Sequence, residues 1–185
     1  MAQRYCIGPD GDHRMTWAYA EADGFAALNR PEFEHLSLPG VEDATIRGFT
    51  RTVDGVEARV LTGASWIRAG GQGTTYSRLC WVSSSRASFD EVNGQTRSYF
   101  NDRGFRMGRV RVHAWIPRPD GSLEPVSRRR YVRESLTLAR IEGMRQLFAR
   151  AQNRAVFLAY ASPRDEATYR DFDWSGPEPV PAPQR

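Results

Sequence analysis

The stretch "TIRGFTRTVDGVEARVL" (Thr45 to Leu61) decides the fold class. Asp54-Gly55 stands between two β-rich runs, the strongest short-range signal for a two-residue hairpin turn. Beyond the turn, Val56, Ala58 and Val60 alternate with Glu57, Arg59 and Leu61, the period of two that a strand imposes on its faces. The pattern extends to Trp66 or Ile67. "RAGGQG" then reverses the chain and "TTYSRLCWVS" supplies a third strand, which predicts an antiparallel meander.

Working outward, residues 1 to 15 read as irregular, with turn chemistry in "GPDGDH". Between residues 16 and 37, Trp17, Phe25, Leu28 and Leu36 fall at helical spacings. Asp23 is a cap candidate and Pro31 an interruption, so one or two short helices are expected. After the meander, Ser88 followed by Glu91 forms a capping box and Gly104 a C′ residue, which predicts a helix over 88–103. Its apolar face carries Phe89, Val92, Thr96, Tyr99 and Phe100.

"GRVRVHAWIP" (Gly108 to Pro117) follows as a strand, with Val110, Val112, Ala114 and Ile116 on one side. "RPDGSLEPV" turns the chain into a partner strand through "SRRRYV", with Pro125 marking an edge or a bulge. From Ser135 to Ala151, Leu138, Ile141, Met144, Leu147 and Phe148 line a second long helix. Gly143 inside it costs roughly 1 kcal/mol relative to alanine. "RAVFLAYAS" is a last buried strand, and Pro163 opens a short helix behind Ser162. The order is α-βββ-α-ββ-α-β. It predicts a two-layer α+β domain with a largely antiparallel sheet of about five or six strands packed on two main helices. Residues 1–173 form this single domain, and the proline-rich end, 174–185, is an extended tail.

The chain has 185 residues, 40% hydrophobic and 26% charged, the composition of a folded domain and not of a disordered one. No apolar run approaches the roughly 20 residues that span a bilayer, and the N-terminus lacks a signal pattern. The chain reads as soluble, with the compartment open. All 26 basic residues are arginine and the net charge is +4, a moderate preference for acidic partners. Cys6 and Cys80 are too few for a metal cage. They are either free thiols in a cytoplasmic protein or a bridge in a periplasmic or secreted one whose leader was removed.

Motifs for chemistry are scarce. The glycine stretch lacks the lysine and the helix of a phosphate loop, and no G-x-S-x-G elbow surrounds Ser65 or Ser83 to Ser85. Asp10, Asp12 and His13 read as a polar turn, Glu32 and Glu34 as a solvated face, and His35 as a surface residue. No metal, cofactor or catalytic group is expected. The arginines remain. Alternation places Arg109, Arg111, His113 and Trp115 together on the outer face of one strand, with Arg128, Arg130 and Tyr131 on its neighbour. The expected function is a non-enzymatic interaction module that holds an acidic protein on this face. The alternatives are a nucleic-acid-binding protein that stacks bases on the same aromatics, and an enzyme whose pocket gathers distant residues around His113 or Cys80.

Overall fold

Asp54 and Gly55 turn the chain as their residue types suggest, with φ of 51° and 73°, the left-handed pair of a two-residue hairpin. The computed structural model describes residues 1–29, 41–42, 45–69, 73–152, 155–170 and 172–174. The hairpin joins β2 (Arg47–Val53) to β3 (Val56–Ala69), which pairs in turn with β4 (Gly73–Ser84), giving the meander. The remaining strands are β1 (Ala26–Ala27), β5 (Phe105–Met107), β6 (Val110–Pro117), β7 (Leu123–Pro125), β8 (Arg145–Gln152) and β9 (Ala155–Arg164). They form a nine-stranded sheet in the order β1-β2-β3-β4-β9-β8-β6-β5, with β7 also paired to β6. The pairings are antiparallel throughout. The class is α+β, but the sheet is larger than expected.

The main departure lies between residues 126 and 152. "SRRRYV" is not a strand. Ser127 accepts a hydrogen bond from the Arg130 amide and opens α3 (Arg128–Glu142). Gly143, expected inside a helix, ends it instead at φ 66°, the left-handed residue that commonly closes a helix. The apolar run after it is the strand β8. The helix expected over 88–103 is α2 (Phe89–Phe100). Its Ser88 cap is in place, but the left-handed closing residue is Asn101 and not Gly104.

Near the N-terminus, Gln3–Ile7 form a π-helical turn, and α1 (His13–Ala22) begins behind an Asp12 cap. Asp23 ends α1 and receives Arg4 and Tyr5 on its carboxylate. β9 runs through Ser162 and Pro163, so the last helix, α4 (Glu166–Arg170), starts after Asp165. The expectations for Pro31, Glu32, Glu34, His35, Leu36, the glycines 70–71 and the tail 175–185 fall outside the described residues.

One cross-strand row, Thr62–Cys80–Tyr160–Leu147–His113, crosses the five strands from β3 to β6. Trp17 of α1 donates its indole N–H to Thr62 Oγ1 at 2.8 Å, and Cys6 is disulfide-bonded to Cys80 with Cα atoms 5.4 Å apart. The N-terminal segment, α1 and α2 therefore cover this face. The opposite face packs Val112, Ala114 and Ile116 against Tyr131, Leu138, Ala139 and Met144. A sheet covered on both sides replaces the expected two layers.

Candidate functional site

The alternation in β6 sorts side chains to two faces as predicted, but neither face is solvent. Val112, Ala114 and Ile116 are buried under α3. His113 and Trp115, expected to look outward, are 1% and 5% exposed. Phe100, the last residue of α2, lies over both, with ring centroids 5.6 Å and 4.2 Å away. Burial lowers the His113 pKa, and Asp102 with Oδ2 3.7 Å from Nδ1 opposes that shift only in part. Arg109 is in the β5–β6 turn and exposed, while Arg111 is half-buried on the His113 face.

Arg128, Arg130 and Tyr131 belong to α3 on the other side of the sheet. Tyr131 donates its hydroxyl to Gln146 Oε1 at 2.7 Å, and burial pushes its pKa up to about 12. Arg130 pairs with Glu142 at 2.6 Å and with Glu124 at 3.3 Å. The predicted basic and aromatic residues thus divide between two faces. Trp115 and Tyr131 are both buried, on opposite sides of the sheet.

The "GPDGDH" turn does more than reverse the chain. Asp10, itself at φ 48°, accepts hydrogen bonds from Arg145 at 3.1 and 2.8 Å and from Ser162 at 2.8 Å. Tyr160 also donates its hydroxyl to this carboxylate. Burial works against ionisation, but the bonds from Arg145 and Tyr160 prevail and hold Asp10 below the usual carboxylate range. These four donors use the carboxylate's acceptor capacity, so Asp10 is a clamp between the N-terminal segment and strands β8 and β9. Next to it Arg78 is buried, donating to the Gly11 and Thr168 carbonyls at 3.2 and 2.9 Å, with its guanidinium 4.0 Å above the Phe172 ring. Among the described residues no group of three or more His, Cys, Asp or Glu is placed to hold a metal.

A cavity of about 300 Å³ lies under α2. Its floor is sheet, from Val82, Leu147, Val156 and Leu158. Val92, Thr96, Tyr99 and Phe100 of α2 form its roof, and Ala2, Gln3 and Ile7 close one end. The lining is mixed, with Gln3, Ser83, Ser84, Glu91 and Gln95 bringing polar groups beside the apolar side chains. The physical cause is the helix sequence. "FDEVNGQTRSYF" has an apolar stripe, but Thr96 is its sole buried residue. Gly94 and Asn93 lower its intrinsic propensity. The helix is held by its end caps and by Phe100 packed on His113 and Trp115, and it leaves a gap between its middle and the sheet.

The apolar stripe of α2 was legible from its spacing. The wall made by residues 2 to 7 was not, because that segment carries no amphipathic period, and its position is set by the Cys6–Cys80 bond and the Asp10 clamp. Comparison of the chain with family models, with curated proteins and with solved structures finds no match.

Proposed function

We propose that this is a non-enzymatic binding protein that holds a small, largely apolar molecule between α2 and the sheet. The observation that carries the reading is the cavity itself. Its volume falls at the lower end of small-molecule sites, which run from about 300 to 1,000 Å³ and combine apolar walls with a few polar groups. Its apolar walls are left facing water instead of packed side chains, and a ligand with an apolar body would cover them. Of the two side chains that the enzyme alternative places at its pocket, Cys80 is bridged to Cys6 and His113 is packed against Phe100. The bridge suits an oxidising compartment.

Titration with the uncharged fluorophore N-phenyl-1-naphthylamine tests the reading. Saturable binding at one site per chain is expected, with at least about a tenfold loss in Val92→Trp, whose indole fills the roof side of the cavity. Thermal denaturation of the variant checks that it is folded, and filling a void commonly stabilises. No saturable binding to the wild type, or unchanged binding to folded Val92→Trp, overturns it.

A further inference from the structure

We infer that the molecule held in this cavity carries an anionic head, received by Arg111 and Arg106. The inference rests on the cavity reading above and names the chemical class of its ligand. A second cross-strand row on the α2 face reads Val60–Val82–Leu158–Ala149–Arg111–Arg106 from β3 to β5. Val82 and Leu158 are floor residues of the cavity. Two strands further on, about 10 Å at the usual strand spacing, the row turns from apolar to cationic.

Arg106 and Arg111 are directly opposite each other in the β5–β6 pairing. Like charges in that position repel, and an ordinary sheet face answers the repulsion with a carboxylate. Here none does: among the described residues neither guanidinium is in an ion pair. Asp102, the acid on the adjoining loop, is turned to His113. Arg111 spends one N–H on the Arg103 carbonyl at 3.3 Å, while its Nε is buried with no hydrogen-bond partner. Arg103 and Arg109 are exposed on the segments flanking β5 and add to the positive potential there. Two planar donor forks facing one side suit a carboxylate or a phosphate bidentately. With the apolar floor two strands away across Ala149, the matching ligand is an amphipathic anion whose acyl or comparable apolar body spans that distance of about 10 Å.

Displacement of N-phenyl-1-naphthylamine by decanoate, decyl phosphate and 1-decanol separates body from head. Decanoate or decyl phosphate is expected to displace the probe at least about tenfold more tightly than 1-decanol, as removal of a charge-assisted pair predicts. Whichever of the two binds tighter identifies a carboxylate or a phosphate head. In Arg111→Gln and in the exposed variant Arg106→Gln the ratio of decanol to anion affinity, measured on the same protein, should collapse toward one. Arg128→Gln, on the opposite side of the sheet, should keep the wild-type ratio. Equal displacement by decanol and both anions overturns the anionic head while leaving the cavity reading intact. A ratio that falls as far in Arg128→Gln as in Arg111→Gln also overturns it, because overall charge would then explain the preference. Failure of the wild type to bind the fluorophore removes the cavity reading instead.

Discussion

Lowering the pH from 7.5 to 5 should destabilise this protein through His13, and replacing His13 by Phe should remove that loss. The imidazole is fully buried, with the rings of Trp174, Phe172 and Trp17 at 5.5, 5.8 and 6.3 Å. Burial, with the Arg78 and Arg164 guanidinium groups nearby, lowers its pKa from 6.5 to about 3, and the Leu79 backbone opposes this only in part. A group whose folded pKa is depressed binds more protons in the unfolded chain. Stability is therefore complete above about pH 6.5 and is lost as pH falls towards the folded value. Each pH unit in that window costs about 1.4 kcal/mol, so the step from 6.5 to 5 costs about 2 kcal/mol. For a chain of this length that is a fall of about 4–8 °C in thermal midpoint.

The assay is denaturant unfolding at pH 7.5 and 5 for the wild type and His13→Phe. Phenylalanine keeps a flat ring among the aromatic neighbours and cannot titrate. The quantity of interest is the difference between the two pH responses, in which groups common to both proteins cancel. The wild type should lose about 2 kcal/mol more than the variant. Equal losses would mean that His13 titrates near its ordinary value, and the packing of the residue 172–174 segment over it would then be wrong.

Three further outcomes follow from the same structure. Cys6→Ala/Cys80→Ala opens a loop with a sequence separation of 74, and should cost about 4–5 kcal/mol in the chain-entropy model, read as a shift in the urea midpoint; a shift under about 1 kcal/mol would refute the bond's role. Gly104→Ala should cost about 2–4 kcal/mol, since φ is +58° and a Cβ would come 2.5 Å from the Val112 carbonyl oxygen; an unchanged midpoint would show that this loop does not press on β6. Ser88→Ala should cost about 1 kcal/mol by removing the acceptor for the Glu91 amide, 3.1 Å away, and ligand affinity measured alongside stability would show whether the roof helix loosens with its cap.

Some of this architecture is written locally. The Asp54-Gly55 turn, the Ser88 cap and the parity of Val112, Ala114 and Ile116 follow from φ preferences, an orphan amide and the two-residue period, none of which needs a distant partner. α3 was hidden for a physical reason. Its first turn has no acidic residue and carries Arg128, Arg129 and Arg130, the charge sign that the positive end of a helix dipole disfavours. What sustains it is remote or in the following turns, in Glu124, Glu134 and Glu142 around Arg130. With the start misplaced, Gly143 fell inside the expected helix and β8 lost its identity.

The basic face failed for a related reason. Alternation along one strand assigns residues to sides but says nothing about what lies on each side. His113 and Trp115 have the parity of Arg111, but α2 returns across the sheet and Phe100 covers them. Arg111, nearer the β5 edge, keeps partial exposure. The covering layer depends on contacts between residues far apart in sequence: Cys6 with Cys80, Asp10 with Arg145 and Ser162, Trp17 with Thr62. Each is a plain polar or sulfur residue until the fold brings its partner. The same layer fixes the candidate site, because the wall at residues 2 to 7 and the roof at α2 exist only when those contacts hold the N-terminal segment against the sheet. The expected basic face is thus divided by the layers that cover the sheet. Its charge remains at Arg106 and Arg111, where the covering stops, and the apolar half of the strand row continues inward beneath the helix.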